Sequence, residues 1–300
     1  MNILVTGGTG LIGRHFIFTY QDEYQFTVLT RNNNVETIDL PKNCRFIHNL
    51  DALSDLNDFD AVINLAGEPI VDKRWTAAQK KVIERSRLGT TEQLVQLFHR
   101  SNNPPEVFIS GSAIGFYGAQ SDVEINEKFT DIHPEFAHHL CAQWEAAAMQ
   151  AKTAATRVCI LRTGIVLAAD GGALSKMLLP FKLGAGGPIA SGKQYMSWIH
   201  IADMVSAINH LLLRANSQGI YNLTAPVPQT NAAFVKMLGA VLTRPAILPM
   251  PECILRLIMG ESADLLVKGQ RVVPDALLEE GFSFVYADLE QALSSLLKAK

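Results

Sequence analysis

Long apolar runs, paired cysteines and an excess of one charge are all missing from this chain, and each absence removes a class of function. No apolar stretch reaches the roughly 18 to 20 residues that cross a bilayer. The N-terminus enters a strand directly, with no basic segment or cleavage site ahead of it, so neither a membrane anchor nor a secretion signal is expected. The four cysteines, Cys44, Cys141, Cys159 and Cys253, are scattered without C-x-x-C spacing. No disulfide and no metal site is therefore expected, and a reducing cytoplasm fits. Lys and Arg total 26 against 29 Asp and Glu, a net charge of −3. With no basic-aromatic stripe either, nucleic acid and anionic membranes have no electrostatic handle. Internal repeats and low-complexity segments are also lacking. What is present is apolar material: 48% of the 300 residues are hydrophobic, enough for one large α/β domain or two smaller ones.

The first half alternates strand and helix patterns. Strands are predicted at 2–6, 25–30, 44–48, 60–65, 106–110 and 157–161, and helices at 11–21, 76–101 and 136–153. That alternation predicts a doubly wound parallel sheet, an α/β fold of the Rossmann type. After about residue 165 the texture changes. A Gly- and Pro-rich loop spans 183–192, helices are predicted at 201–214 and 230–243, and a mostly helical tail covers 252–259, 261–268, 274–280 and 287–298. The domain reading is a dinucleotide-binding domain at 1–165, rejoined by segments near 190–225, and a discontinuous, mostly helical C-terminal lobe at 166–300. A cleft between the two is the expected small-molecule substrate site.

The most specific signal lies at the start, in Ile3-Leu-Val-Thr-Gly-Gly-Thr-Gly-Leu-Ile-Gly13. An apolar strand runs into a turn carrying Gly7, Gly10 and Gly13, and a helix follows. Glycines at such positions allow the tight turn, the close approach of a pyrophosphate and close helix packing, while the helix N-terminus offers unpaired N–H groups. Gly7, Thr9, Gly10, Leu11, Ile12 and Gly13 are the predicted phosphate cradle, and the end of the strand near 60–65, Leu65-Ala66-Gly67, is predicted to run alongside it. The second strand ends in Thr30-Arg31 with no carboxylate nearby. An arginine there suits a 2′-phosphate, so NADP(H) is favoured over NAD, with Arg31 as its reader; a solvated surface arginine is the alternative. Arg14 either assists or points to solvent. Arg85 and Arg87 straddle Ser86 on the long helix; Arg85 is the predicted phosphate contact, a surface ion pair the alternative.

Several segments resemble the extended, epimerase-like branch of the short-chain dehydrogenase/reductase superfamily. They are Val107-Phe-Ile-Ser-Gly-Ser-Ala-Ile-Gly-Phe-Tyr-Gly118, Leu161-Arg-Thr-Gly-Ile-Val-Leu167, Trp198-Ile-His-Ile-Ala-Asp203 and Tyr221-Asn-Leu-Thr224. Asn64-Leu-Ala-Gly-Glu-Pro-Ile70, Arg74-Trp75, Gly269-Gln-Arg-Val-Val-Pro274 and Gly281-Phe-Ser-Phe284 resemble an atypical epimerase-like family with its own C-terminal domain. The resemblance implies that Ser112 stands at the catalytic serine, and that 198–203 and 221–224 belong to the substrate lobe.

That superfamily works with a tyrosine and a lysine four residues on, whose charge lowers the phenol pKa. None of the six tyrosines here has that partner. On the helix that should carry the pair, Ala137 and Cys141 stand at the two positions if Glu145 matches the glutamate that follows it. Three groups are candidates for the missing chemistry. Ser112 would polarise a substrate oxygen or serve as a structural hydroxyl. Tyr117 would act as an acid or a positioning residue. Glu68 would act as a base or tie down its loop. The reading is an NADP(H)-binding, epimerase-like oxidoreductase acting on a small carbonyl, hydroxyl or sugar-nucleotide compound. The alternative is a catalytically silent NADP-binding regulator. Oligomeric state is left open.

Overall fold

The computed structural model describes residues 1–298. In the first half, β1 (Asn2–Thr6), α1 (Leu11–Thr19), β2 (Gln25–Leu29), β3 (Arg45–Ile47), β4 (Ala61–Asn64), α2 (Ala77–Arg100) and β5 (Val107–Ala113) follow in turn, and β6 (Glu124–Ile125), α3 (Phe136–Met149) and β7 (Arg157–Thr163) complete it. The second half contains β8 (Ile165–Ala168), α4 (Gly172–Lys182), β9 (Tyr195–Met196), β10 (Trp198–His200), α5 (Ile201–Leu213), β11 (Gly219–Leu223) and β12 (Gln229–Thr230). The tail adds α6 (Asn231–Leu242), α7 (Glu252–Met259), α8 (Asp264–Val267), β13 (Arg271–Val272), α9 (Asp275–Glu279) and α10 (Leu289–Lys298).

Seven strands form one parallel sheet in the order β11-β7-β5-β4-β1-β2-β3. Alternate residues of each strand feed opposite cores. Ile3, Val5, Ile63 and Ile109 join the core that contains Phe16 and Leu211, whereas Leu4, Val62 and Phe108 join the one that contains Leu94 and Phe98. Two buried faces explain why these strands read as continuous apolar runs. A third core gathers Leu174, Phe181, Phe234, Leu238 and Leu293 into a smaller lobe.

One expectation needs correction. The resemblance placed the segments 198–203 and 221–224 in the substrate lobe, whereas the domain division had the chain rejoin the first domain near 190–225; the chain does return to the main sheet there. β11 pairs with β7, Tyr221 opposite Leu161, and α5 places Met204, Ile208 and Leu211 in the core beneath α1. The reason is the sheet edge: without β11, the buried strand β7 would leave a row of backbone groups unpaired.

Parallel register also lines up polar residues at the carboxyl ends of the strands. Thr6 stands opposite Asn64, and Asn64 opposite Ser110. Two residues further on, Ser112 stands opposite Arg162, and Arg162 opposite Asn222. These two rows frame the edge where ligands of such sheets bind.

Candidate dinucleotide cleft and its catalytic edge

The glycine turn is dictated by crowding. Gly7 has φ +70°, and a Cβ there would lie 2.5 Å from the Leu65 carbonyl, so only glycine lets the turn abut the end of β4. A Cβ on Gly13 would collide with the Gly7 carbonyl, which fixes how closely α1 packs on its own turn. Gly10 is the N-cap of α1 without a side-chain cap, and no acid occupies the first turn. The N–H groups at the start of α1 therefore keep their capacity for an anion, at the positive end of the helix. A Cβ on Gly10 would meet nothing but the Gly7 carbonyl within 4 Å, leaving that side open.

Beside the turn lies a cavity of about 440 Å³ lined by Thr9, Leu11, Arg14, Thr30, Asn32, Thr37, Ile38, Asp39, Asp170 and Gly171. Arg14 is its cation. Its guanidinium pairs with Asp39 at 3.0 Å and with Asp170, and the side chain is 27% exposed. Arg31 is exposed and outside the lining. Side chains alternate along an extended chain, so Thr30 turns into the cavity while Arg31, one residue on, lies outside it. Arg85 is also exposed. Its neighbour Arg87 is the residue at the cleft: it packs under Gly67, where a Cβ would lie 2.9 Å from its guanidinium carbon. Arg87 donates to the Glu68 carbonyl at 3.1 Å and sits 5.4 Å from the centre of the Trp144 ring. Burial lowers its pKa, with Cys141 and Glu68 opposing.

At the other end, a buried network joins the first polar row to the helices. Thr6 Oγ1 donates to Asn64 Oδ1 at 2.7 Å, Asn64 Nδ2 donates to Thr91 and Ser110, and Trp144 Nε1 donates to Thr91 at 3.0 Å. Ala66 N donates to Thr6 Oγ1 at 3.3 Å, so the floor of the cleft is held by groups whose polar needs are met internally.

The second row is a charged one. Ser112 Oγ donates to Glu145 Oε1 at 2.6 Å, and Glu145 takes Nε and Nη2 of Arg162 at 2.9 and 2.8 Å. Both side chains of that ion pair are buried. Burial opposes the Arg162 charge, but the hydrogen bonds and charge of Glu145 outweigh it and hold the guanidinium pKa above its usual value. The guanidinium carbon sits 3.4 Å from the Phe116 ring centre and 4.9 Å from that of Tyr117.

Tyr117 is fully buried, and its hydroxyl donates to Asn222 Oδ1 at 2.8 Å. Burial raises its pKa despite the opposing Arg162 charge. Its placement is that of a positioning residue, the second of the two readings given to Tyr117, with the hydroxyl proton committed to Asn222. Cys141 is buried, and burial pushes its thiol to about 11, which leaves it protonated and unreactive near neutrality. Ala137 packs on Gly115. Glu68 is bound by Lys73 at 3.1 Å, and its backbone N–H donates to Ser86, the loop-tying geometry. Ser112, 5% exposed, is the remaining candidate at the strand edge. Among the described residues no three His, Cys, Asp or Glu side chains gather as a metal site, and no helix is long and apolar enough to cross a membrane.

The sequence reading named Arg87 beside Arg85 but chose Arg85, and it gave no role to Asn64, to Glu145–Arg162 as a pair, or to Asn222. A signal for the three strand residues was available. Asn64, Arg162 and Asn222 are polar residues inside strands that are otherwise apolar, and a local rule broken inside a core marks a network or a site.

Comparison with known proteins agrees with this geometry. Residues 3–224 match the NAD dependent epimerase/dehydratase family, and residues 250–296 match a domain of unknown function, DUF1731. An epimerase family protein of Staphylococcus epidermidis is 36% identical over 298 residues, covering 99% of each chain. The epimerase family protein SDR39U1 of Mus musculus is 36% identical over 301 residues, covering 99% of this chain and 100% of its own. A crystal structure of human SDR39U1 with NADPH superposes with a TM-score of 0.92 at 33% identity, over 100% of both chains. A nucleoside-diphosphate sugar epimerase from Corynebacterium glutamicum superposes at 0.79 with 28% identity, over 99% of this chain and 58% of the other. The sheet, the glycine turn and these matches together place the chain in the NAD dependent epimerase/dehydratase family.

Proposed function

We propose that this chain binds NADP(H) across the carboxyl edge of its sheet and acts as an epimerase-like oxidoreductase on a small carbonyl or hydroxyl compound. The observation that carries the reading is the start of α1, where free N–H groups face an open side and a cavity lined by Arg14 adjoins them. Those residues fit the cofactor: the first turn of α1 would hold the pyrophosphate, and Arg14 would take the 2′-phosphate in exchange for its exposed partner Asp39. The NADPH bound to the human relative supports the assignment. When bound, the nicotinamide supplies or accepts a hydride.

The chain's own contribution is orientation. Ser112 Oγ turns its hydrogen bond from Glu145 to a substrate oxygen, polarising it, while the two hydrogen bonds from Arg162 hold the Glu145 carboxyl group in place. With Tyr117 sealed against Asn222 and Cys141 protonated, the proton at that oxygen comes from water. The test is NADPH oxidation with a panel of carbonyl compounds. Ser112→Ala should lower turnover by about 10²-fold, the cost of losing one oriented donor, while Tyr117→Phe should leave the kinetics intact. If Ser112→Ala changes nothing, the role given to Ser112 is wrong.

A second reading is a catalytically silent NADP(H)-binding regulator. Ala137, Cys141 and Tyr117, none able to deliver a proton to the edge, favour it. Tight NADPH binding without turnover of any carbonyl in the panel is its expected signature.

A further inference from the structure

Arg87 is a cation with donors to spare in the middle of the cleft. A guanidinium donates from every one of its nitrogens. Nη1 is spent on the Glu68 carbonyl at 3.1 Å, with the Ile83 carbonyl and Ser86 Oγ at 3.3 and 3.4 Å. Nε and Nη2 have no hydrogen-bond partner among the described residues, and neither is sealed from solvent. The acid nearest in sequence to that contact, Glu68, gives its carboxylate to Lys73. The Arg87 side chain is half-buried, and burial lowers its pKa. A charge held partly away from water without a bonded carboxylate gains from any acceptor brought to it.

Gly67 keeps those donors open. A Cβ there would lie 3.0 Å from Nη2 and 3.2 Å from Nε, so a side chain at this position would cover or displace the unspent side of the fork. Packing holds the arginine in place from below. Its guanidinium carbon sits 5.4 Å from the Trp144 ring centre. Trp144 Nε1 donates to Thr91 Oγ1, which in turn donates to the Arg87 carbonyl.

Sheet order gives the place. β4 lies between β1 and β5. The turn after β1 takes the pyrophosphate in the reading above, and β5 carries Ser112. A dinucleotide laid from that turn to Ser112 crosses the end of β4 at Leu65-Ala66-Gly67, and the part of it that lies between pyrophosphate and nicotinamide ring is a ribose. The helix α3 offers that ribose no lysine or arginine. Two adjacent hydroxyls are acceptors that suit the adjacent donors of a guanidinium fork.

We infer that Arg87 binds the nicotinamide-side ribose of NADP(H), with Nε and Nη2 donating to its hydroxyls. The inference rests on the NADP(H) reading and adds a second arginine to it: Arg14 serves the adenine end of the cofactor, Arg87 the reacting end.

The test is calorimetric titration of the full chain with three probes. They are NADPH, 2′-phospho-ADP-ribose, which keeps the ribose but lacks the nicotinamide ring, and 2′,5′-ADP, which lacks both. Arg87→Met should weaken the first two by about tenfold, the loss of one charge-assisted contact, and leave 2′,5′-ADP unchanged. Retained 2′,5′-ADP binding also shows that the variant is folded. Should Arg87→Met fail to fold, Arg87→Gln, which keeps an amide donor, carries the same comparison. Arg87→Lys keeps the charge without the fork and should bind NADPH more tightly than Arg87→Met does. The inference is overturned if the folded neutral variant binds NADPH like wild type, or if it weakens 2′,5′-ADP by the same factor. It is also overturned if NADPH weakens while 2′-phospho-ADP-ribose does not, or if Arg87→Lys binds NADPH no better than Arg87→Met. Wild type that binds none of the three probes would overturn the NADP(H) reading itself, a result distinct from each of these.

Discussion

Cofactor choice offers a sharp separation between two arginines. If the cavity beside the glycine turn receives a 2′-phosphate, Arg14 reads it and Arg31 does not. A charge-assisted pair with phosphate contributes about 1.5–3 kcal/mol. Against that stands the loss of the pairing of Arg14 with Asp39, which is 76% exposed and so worth about 1 kcal/mol or less. The net preference is about 1–2 kcal/mol, or roughly 5- to 30-fold in affinity. Arg14→Ala should therefore weaken NADPH binding by that factor and leave NADH nearly unchanged. Arg31→Ala, an exposed side chain outside the cavity lining, should cost about 0.5 kcal/mol or less. Asp39→Asn should tighten NADPH modestly by removing a competitor for Arg14. Fluorescence titrations with both cofactors at fixed ionic strength decide the matter, because salt screens the pairs of Arg14 with phosphate and with Asp39. If Arg31→Ala weakens NADPH more than Arg14→Ala does, or if Arg14→Ala weakens both cofactors equally, the argument from cavity lining fails.

Three further perturbations probe the interior. Glu145→Ala strands the buried Arg162 charge and should cost about 3–5 kcal/mol in urea unfolding; a cost under about 1 kcal/mol would mean the pair is not buried as described. In the native protein, iodoacetamide near pH 8 should label the exposed Cys253 and spare Cys141, whose thiol burial holds at about 11; mass spectrometry showing equal labelling would refute that environment. His200 is buried, its Nδ1 accepting from Ala202 N at 3.0 Å and its ring stacked on Tyr286 at 3.8 Å. Burial, aided by His15, lowers its pKa to about 4. A depressed histidine means the unfolded chain takes up the proton first, so stability is full above about pH 6.5 and falls as pH drops toward 4. The span corresponds to about 3 kcal/mol. His200→Gln should flatten that part of the stability curve relative to wild type, and an identical slope in both proteins would refute the assignment.

The fold was legible wherever sequence periodicity is local. The glycine turn, α1, and the two-faced apolar strands β1 and β4 announce themselves within a dozen residues, because crowding at Gly7 and Gly13 acts over short chain distances. The return of the chain near 190–225 was read in the domain division, yet the family resemblance put 198–203 and 221–224 in the other lobe; what decides between the two is the open edge of β7, more than fifty residues before β11. Cofactor residues divide the same way. Strand and helix phase separate Arg31 from Thr30 by one residue and Arg85 from Arg87 by two, and so small a difference in facing is what sequence spacing resolves least well.

The catalytic edge carries that lesson further. Tyr117 looked available in the sequence because it follows a serine strand at the expected place. Its hydroxyl is instead committed to Asn222, 105 residues away, and Asn222 in turn donates to the Val273 carbonyl at 2.9 Å. Glu127 reinforces the junction, accepting from Asn222 N and Ala276 N. Ser112, Glu145, Arg162, Tyr117 and Asn222 thus form a continuous polar chain from the cleft to the segment matched by the C-terminal family domain. In relatives with a tyrosine–lysine couple, the catalytic helix itself supplies the proton donor. Here that helix supplies Glu145 to Ser112 and Arg162, and the positions that would carry the couple are filled by a methyl group and a protonated thiol. If this edge orients a substrate oxygen through Ser112, as proposed, its rigidity comes from the C-terminal segment that anchors Asn222.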